Sequence, residues 1–340
     1  MKVIDMHCDT ISRLLNLQDE GSKETLRQNT GHLDLLRMKQ GDYLLQNFAL
    51  FVELDRDQDP WERVCRLYRL YREELKKNSD LIAPVLRFSD IEKNRSEGKL
   101  SAMLTVEEGA VCGGDIQKLR QLYDMGVRML TLTWNFPNEL GYPNFDRELG
   151  KHARESQSAF EAYFHTPDEK NGLTGRGREF VAEMEKLGMI PDVSHLSDAG
   201  FYDVLEVTKK PFVASHSDAR AVSPCVRNLT DDMIRKLAER GGVMGLNYCA
   251  DFLEEVPFGE KNPGTIEAVV RHARYIADVG GIEVIGLGSD FDGIDTHEEL
   301  PGVQSMEKLW CALQRAGFTE EQLDKIFYEN VLRVYHDTLN

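Results

Sequence analysis

The feature of the sequence that most constrains its fold is the regular alternation of short apolar runs with longer helical patterns. The apolar runs are candidate strands at 2–6, 43–53, 101–106, 127–133, 188–193, 211–215, 242–247 and 283–288. The segments between them have helical patterns, at about 59–78, 114–125, 173–187, 197–208, 230–240, 264–280 and 318–337. Alternation of this kind is typical of an α/β fold with a parallel sheet. Eight repeats predict that the sheet closes into a (β/α)8 TIM barrel.

The length of the chain suits one such barrel. The sequence has 340 residues, and a barrel needs about 250 before insertions. No low-complexity stretch or sharp change of composition marks a second domain. We therefore predict a single barrel domain over residues 1–340, with a long insertion at about 134–172 after the fourth strand. Ser197 is predicted to cap the helix that follows it. Thr230-Asp231-Asp232 is predicted to open the helix after the sixth strand, with acids in its first turn that the helix dipole favours.

Charge and composition narrow the classes of partner. The formal net charge is −17, and such a chain repels phosphate backbones, which disfavours nucleic acid as a partner. No apolar run reaches the 18 residues that suggest a membrane span, and residues 1–7 lack the pattern of a signal peptide. The six cysteines contain no CxxC pair, so reduced thiols and a cytoplasmic location are expected.

Metal-binding residue types stand at the carboxyl ends of several candidate strands. His7 and Asp9 follow the first strand, Glu107 the third, His195 the fifth and His216 the sixth. In a closed parallel barrel, these ends surround a single mouth. Alternation along a strand places His7 and Asp9 on one side, whereas Cys8 between them is expected to point into packing.

Each of these signals has a simpler interpretation when taken alone. A lone histidine at a strand end is often a hydrogen-bonded loop residue, and a His-x-Asp pattern occurs by chance. The Asp290-Phe291-Asp292-Gly293 segment is also compatible with a plain turn in which Gly293 has a positive φ. The coincidence of several strand ends favours a metal site.

The donor set indicates which metal. Three histidines and two carboxylates suit zinc, which binds imidazole nitrogen and carboxylate oxygen. Five protein ligands are too many for one catalytic zinc that keeps an open position, but they suffice for two ions about 3.5–4 Å apart if one carboxylate bridges. Glu107, midway around the ring, is the natural bridge.

Taken together, these motifs resemble the membrane (renal) dipeptidase family, peptidase family M19, and the likeness spans almost the whole chain. The motifs are His7-x-Asp9, Val106-Glu107, Asp192-Val193-Ser194-His195, Ser215-His216-Ser217 and Gly288-Ser289-Asp290-Phe291-Asp292-Gly293. The resemblance implies a barrel of the metallo-dependent hydrolase type with two Zn²⁺ ions per chain. It also implies a bacterial-type cytoplasmic metallodipeptidase that hydrolyses small dipeptides.

The resemblance also assigns roles to residues. His7 and Asp9 would hold one zinc ion, His195 and His216 the other, and Glu107, in preference to Glu108, would bridge them. Asp290 matches the general acid/base of a reaction in which a zinc-bridging hydroxide attacks the peptide bond. Arg227 matches the arginine that binds the carboxylate of the substrate, although a surface arginine paired with Asp231 or Asp232 is the alternative.

The sequence departs from the family after the fourth strand. Where relatives such as the renal enzyme carry a substrate-contacting histidine, this chain has Trp134, followed by Asn135. Both are predicted to bind substrate. The resemblance further implies acceptance of a D-residue at the second position, and a homodimer.

Two other functions stay open from the residues. One is a different metal-dependent amidohydrolase, such as a cyclic amidase or a deaminase. Those enzymes typically have His-x-His on the first strand and often a lysine on the fourth, whereas this chain has His7-x-Asp9 and no lysine in 127–133. The other is a barrel that binds metal or ligand without catalysis, which would not need Asp290 in addition to five ligands.

Overall fold

A computed structural model of the chain describes residues 1–153 and 155–339. The strands in this part of the chain are all parallel to their neighbours. They are β1 (Val3–Asp5), β2 (Tyr43–Phe51), β3 (Ile82–Pro84), β4 (Leu100–Glu107), β5 (Val127–Thr131), β6 (Ile190–Asp192), β7 (Val213–Ala214), β8 (Val243–Leu246) and β9 (Ile285–Leu287).

Eight of these strands close into a barrel, as the sequence predicted. The order around the barrel is β1, β2, β4, β5, β6, β7, β8 and β9, and β9 pairs with β1 through Leu287 and Asp5. The longest register joins β2 and β4, from Leu45 opposite Ser101 to Phe51 opposite Glu107. Each predicted strand corresponds to one barrel strand.

β3 was missed by the sequence analysis because it is only three residues long and ends in a proline. It lies outside the barrel and pairs with β4 alone. Pro84 has no N–H to donate, and proline is confined to edge strands or strand ends for that reason.

The α-helices surround the barrel. They are α1 (Thr10–Asp19), α2 (Leu35–Gln40), α3 (Pro60–Lys77), α4 (Phe88–Ser96), α5 (Ile116–Met125), α6 (Arg147–Gly150), α7 (Gln157–Phe164), α8 (Gly175–Leu187), α9 (Asp198–Val207), α10 (Asp231–Glu239), α11 (Ala250–Leu253), α12 (Ile266–Gly280), α13 (Met306–Arg315), α14 (Glu320–Asp324) and α15 (Asn330–Thr338). A π-helical turn over Lys325–Glu329 joins the last two. α1, α2, α4, α6, α7, α11 and α13 were not predicted from the sequence.

The chemistry of the helix ends explains where several helices begin. The side chain of Ser197 accepts a hydrogen bond from the backbone N–H of Gly200, and Thr230 accepts one from Met233. The predicted cap at Ser197 is confirmed, and Thr230 is the cap of α10, which has Asp231 and Asp232 in its first turn as predicted. Such a cap stabilises a helix by about 1 kcal/mol because it satisfies a backbone donor that has no partner within the helix.

Apolar side chains fill the barrel at the end opposite the strand carboxyl ends. Ile4, Met103 and Ile190 from the strands pack there with Val331 and Tyr335 from the C-terminal helix. The hydroxyl of Tyr335 donates to Asn47 Oδ1 of β2 at 2.9 Å. α15 thus closes this end of the barrel and leaves the carboxyl ends of the strands for polar side chains.

The segment between β5 and β6 contains α6 and α7 and extends beyond the barrel wall. The backbone N–H of Val226, in the loop after β7, donates to the carbonyl of Phe164 at 2.8 Å. Phe145 and Tyr163 stack at 4.4 Å between ring centroids and pack with Val226. The insertion therefore rests on the loop that carries Arg227.

No helix among the described residues is both long and apolar enough to cross a lipid bilayer.

Gly288, directly after β9, lies so close to the backbone of Ser215 that a substitution at this position tests the barrel geometry. A Cβ at this position would lie 1.8 Å from the carbonyl oxygen of Ser215. We expect Gly288→Ala to lower the free energy of unfolding by about 1–3 kcal/mol through overpacking. The matched control is Gly175→Ala in α8, where a Cβ meets nothing within 4 Å and a gain of about 0.4–1 kcal/mol is expected. Urea denaturation measures both, and equal stabilities for the two variants would contradict the close approach of Gly288 to the carbonyl of Ser215.

Candidate metal centre

Five predicted ligands meet at the carboxyl ends of the barrel strands. His7 and Asp9 follow β1, Glu107 is the last residue of β4, His195 follows β6, and His216 follows β7. All five side chains are buried. The convergence that the sequence predicted is present in the fold.

Glu107 lies between two groups of ligands and presents one oxygen to each. Its Oε2 is 3.3 Å from Nε2 of His7. Its Oε1 is 3.1 Å from Nε2 of His195 and 3.5 Å from Nε2 of His216. Asp9 joins the first group, with Oδ2 3.4 Å from Nε2 of His7. A carboxylate that presents one oxygen to each of two groups has the geometry required to bridge two metal ions.

Atoms without hydrogen-bond partners show that the group suits a cation. His7 Nε2 and Asp9 Oδ1 are buried, and neither has a partner among the described residues. Nε2 of His195 and Nε2 of His216 face each other at 3.0 Å. Buried polar atoms are normally satisfied, and imidazole and carboxylate donors converging on one point are the ligands of zinc and similar divalent ions.

Hydrogen bonds behind two histidines direct their Nε2 atoms to the centre. The hydroxyl of Ser215 donates to Asp192 Oδ2 at 2.6 Å and lies 2.7 Å from Nδ1 of His216. Nδ1 of His195 lies 2.9 Å from Oδ1 of Asn135, an acceptor. These partners place the ring proton on Nδ1 in each case, so Nε2 keeps its lone pair for a metal.

The electrostatic environment favours the same protonation states. Burial, and then the charge of nearby Arg227, lower the pKa of His195 to about 4. Burial and the charge of His7 also hold the pKa of His216 well below its usual value. Burial alone would raise the pKa of Glu107, but the charge of His7 and hydrogen bonds from the histidines hold it well below the usual range. Two neutral imidazoles and an ionised bridge result.

Glu108, the neighbour that the sequence analysis set aside, has a different role. Its carboxylate accepts hydrogen bonds from the backbone N–H of Ala110 at 2.9 Å and of Trp134 at 3.2 Å, and from Nδ2 of Asn138 at 2.5 Å. It therefore organises the loops after β4 and β5.

Asp290 lies at the edge of the centre and faces two ways. Its Oδ1 is 3.9 Å from Nε2 of His7, and its Oδ2 accepts from Nδ2 of Asn247 at 3.1 Å. Together with His7 and Asp9, it forms a second group whose potential ligand atoms lie within 4.8 Å of one another. Its location suits a proton carrier next to a metal, and burial raises its pKa.

The turn after β9 differs from the simple turn considered from the sequence. Asp290 and Asp292 have positive φ values of 62° and 68°, whereas Gly293 does not. A Cβ on Gly293 would lie 2.2 Å from Oδ2 of Asp9, so glycine is needed there for close approach. Non-glycine residues with positive φ cost free energy and cluster at functional sites, and His195, with φ 69°, is another.

Arg227 is buried, with 3% of its surface exposed, so the alternative of a surface arginine paired with Asp231 or Asp232 is wrong. Its Nη2 donates to the carbonyl of His216 at 3.2 Å, while its Nε has no hydrogen-bond partner among the described residues. The guanidinium lies 5.4 Å from the ring centroid of Phe252. A buried cation with donors to spare suits an anionic ligand.

Trp134 is half-buried beside the centre, with its ring 6.2 Å from that of His195 and 4.9 Å from that of Phe51. The guanidinium of Arg147 lies 5.7 Å from the tryptophan ring centroid. Asn135 faces His195 Nδ1 rather than an open space. The structure therefore gives Asn135 a part in orienting His195, and its contact with substrate stays a prediction.

A cleft of about 1290 Å³ is formed by α7 and the loops after β7, β8 and β9. Its walls include Cys225 and Cys249, but none of the five predicted ligands lines it. This volume exceeds that of a small ligand.

Several residues of the site were missed by the sequence analysis. Asp192 and Ser215 belong to motifs that it quoted, but neither received a role, and Asn247 was not singled out. The available signal was a polar residue at or just beyond the end of a buried strand. Their partners, however, lie on other strands and are not readable from spacing.

Comparisons with known proteins agree with this geometry. A family model described as membrane dipeptidase (peptidase family M19) matches residues 1–340. An uncharacterised dipeptidase of Schizosaccharomyces pombe is 32% identical, over 99% of this chain and 80% of its own length.

Two solved structures are similar over nearly the whole chain. One is a dipeptidase described as a metallo peptidase of family M19, with a TM-score of 0.88 at 27% identity, covering 100% of this chain and 99% of its own. The other is a metallo peptidase from Rhodobacter sphaeroides, liganded with a phosphinate mimic of the dipeptide L-Ala-D-Ala. It has a TM-score of 0.86 at 26% identity and covers 99% of each chain.

The contact from Asp192 through Ser215 to His216 leads to a test of the centre. Ser215→Ala removes the group behind His216, and losing such a partner typically weakens metal affinity about 10–100-fold. Competition with a chelator measures the affinity. The control is Ser305→Ala, which removes a buried hydroxyl without a hydrogen-bond partner among the described residues and should leave metal affinity unchanged. Wild-type affinity in Ser215→Ala would show that this contact does not support His216.

Proposed function

Because this chain belongs to the membrane dipeptidase family, peptidase family M19, and is a metallodipeptidase, we propose that it uses two zinc ions to hydrolyse small dipeptides. The proposal rests on the position of Glu107, which presents one carboxylate oxygen to His7 and the other to His195 and His216. His7 and Asp9 would hold one ion, His195 and His216 the second, and Glu107 both.

Two bound zinc ions supply Lewis acidity for the scissile carbonyl and lower the pKa of water enough to make it a nucleophile near neutral pH. The protein holds the ligands in place before binding. Hydrogen bonds that His216 donates to Ser215 and His195 donates to Asn135 fix the two rings, so little reorganisation is needed when the ions bind.

Asp290 is the proposed general acid/base. Its Oδ1 faces the centre, and its Oδ2 is held by Asn247. Oδ1 would accept a proton from the attacking water and deliver it to the leaving amine, which requires one group within hydrogen-bond reach of both.

Arg227 is proposed to bind the C-terminal carboxylate of the substrate. It is buried close to the centre, and its Nε is unpartnered among the described residues. A guanidinium can bind a carboxylate through two parallel hydrogen bonds. Recognition of this end, with the metal ions near the other, would restrict the enzyme to dipeptides.

Trp134 is proposed to contact the substrate in place of the family histidine. Its half-buried ring beside His195 supports this assignment. The indole offers an apolar surface to the substrate but cannot polarise a carbonyl as an imidazole does, so its effect would be on which side chains are accepted.

Acceptance of a D-residue at the second position is also part of the proposal. It is supported by the Rhodobacter sphaeroides relative, whose structure holds a mimic of L-Ala-D-Ala. The family match favours dipeptide hydrolysis over the cyclic amidase, deaminase and non-catalytic alternatives. The single domain, the homodimer and the cytoplasmic location stay predictions.

Metal analysis and activity together test the binuclear centre. Active enzyme should contain about two zinc ions per chain and should lose activity to a chelator. Glu107→Gln should weaken both sites because both share this carboxylate, whereas His195→Ala should remove mainly one ion. Full activity with a single ion per chain would overturn the binuclear proposal.

The role of Arg227 is tested with substrates that lack the terminal charge. Amidated dipeptides should be poor substrates of the wild type, and Arg227→Ala should lose about 2–5 kcal/mol toward free-acid dipeptides, measured as kcat/KM. The gap between the two kinds of substrate should then largely close. Arg235→Ala, on the exposed face of α10, is the control and should keep the wild-type ratio. If Arg227→Ala also keeps that ratio, another group binds the carboxylate.

A further inference from the structure

Asn247 stands directly after β8 and is fully buried at the barrel mouth. We infer that Asn247 is the positioning residue of Asp290: it holds Oδ2 of that carboxylate so that Oδ1 alone faces the metal centre. The inference rests on the proposed function, in which Asp290 carries the proton.

The hydrogen bonds around Asn247 determine which way its amide faces. Its Oδ1 accepts from the backbone N–H of Cys249 at 2.6 Å. The amide nitrogen must therefore face the opposite side, where it donates to Oδ2 of Asp290 at 3.1 Å and contacts the carbonyl of His216 at 3.4 Å. Rotation of the amide by 180° would place its donors against the N–H of Cys249, so the donor toward Asp290 is fixed by the network.

Asp290 needs this contact because its surroundings also offer it a different role. Its potential ligand atoms lie within 4.8 Å of those of His7 and Asp9. Without a donor on Oδ2, the carboxylate is free to turn both oxygens to the centre and act as a ligand. Asn247 engages one oxygen and leaves the other to exchange a proton with substrate.

The amide of Asn247 also connects Asp290 to Arg227, the residue proposed to bind the substrate carboxylate. The carbonyl oxygen of His216 receives Nη2 of Arg227 at 3.2 Å and Nδ2 of Asn247 at 3.4 Å. The carbonyl of His216 therefore contacts both Asn247, which holds the proposed proton carrier, and Arg227, which is proposed to bind the substrate carboxylate. Their relative positions depend on a residue that touches neither metal nor reacting atom.

The first test separates positioning from ordinary stability. Asn247→Leu keeps the approximate side-chain volume but removes the donor, and we expect kcat for a dipeptide to fall about 10–100-fold with KM nearly unchanged. The matched control is Asn94→Leu, a buried asparagine that donates to Ala83, Pro84 and Ser101 near the other end of β4. It should lower thermal stability while keeping kcat. Asn247→Asp, which is isosteric, replaces Asn247→Leu if the leucine variant does not fold, with the same fall in kcat expected.

A double-mutant cycle then asks whether Asn247 acts through Asp290. In the Asp290→Asn background, Asn247→Leu should cause almost no further loss of kcat, since the group that it positions has already lost its function. A full additional loss in that background, or wild-type kcat in the single Asn247 variant, would overturn the inference.

A crystal structure of zinc-loaded Asn247→Leu provides a readout that does not depend on substrate. Oδ2 of Asp290, which no longer has an amide donor, should turn toward the ions, so that both oxygens face them. If wild-type enzyme fails to hydrolyse dipeptides, the proposed function is wrong, and this structure still decides the positioning role. An unmoved Asp290 carboxylate would refute it.

Discussion

The site depends on the carboxylate of Glu107, which is buried at the end of β4. It presents one oxygen to His7 and the other to His195 and His216. Glu107 stays ionised despite complete burial because the charge of His7 holds its pKa low. A buried charge is costly unless it is paired. The positions of His7, His195 and His216 follow from this constraint, since each must present Nε2 to one of two oxygens. A divalent cation on either side would satisfy the same oxygens more strongly than an imidazole N–H.

At two other places, a buried carboxylate at the end of a strand accepts two hydrogen bonds from a serine that follows the neighbouring strand. Asp5, the last residue of β1, accepts from the backbone N–H of Ser289 at 2.9 Å and from its hydroxyl at 2.5 Å. Asp192, the last residue of β6, accepts from the N–H of Ser215 at 2.8 Å and from its hydroxyl at 2.6 Å. Each serine directly precedes a residue with a proposed role in the site, Asp290 or His216. Hydrogen bonds to a charged acceptor stabilise by about 1.5–3 kcal/mol, so both residues are firmly positioned before any ion binds.

At the mouth of the barrel, positively and negatively charged side chains lie close together, and their charges shift the pKa values of their neighbours. Arg227 lowers the pKa of His195 and thereby helps to keep it a neutral ligand. The same guanidinium retains an unpartnered Nε among the described residues, which leaves it available for an anion. Because the insertion with α6 and α7 packs on the loop of Arg227, the position of this cation depends on residues far from it in sequence. His216 and Arg227 are therefore connected through the loop after β7.

The sequence alone determined the features that arise from local periodicity. The eight barrel strands follow from the apolar runs that alternate with helical patterns. The placement of His7 and Asp9 on one side of a strand and the burial of Cys8 between them follow from alternation with a period of two. Closure of a parallel barrel then brings the remaining ligands to the same mouth. The preference for Glu107 over Glu108 also agrees with the fold, in which only Glu107 reaches the histidines.

Only the tertiary structure decided how these residues share their contacts. Asp5 meets Ser289 across 284 positions of sequence, and no local pattern specifies such a partner. The burial of Arg227, the contact of Asn135 with His195, the donor from Asn247 to Asp290 and the positive φ of Asp290 in place of Gly293 all depend on which loops meet after the barrel closes. Spacing predicts the face on which a side chain lies, but a hydrogen-bond partner is selected by distance and direction between elements, and these exist only in the folded chain.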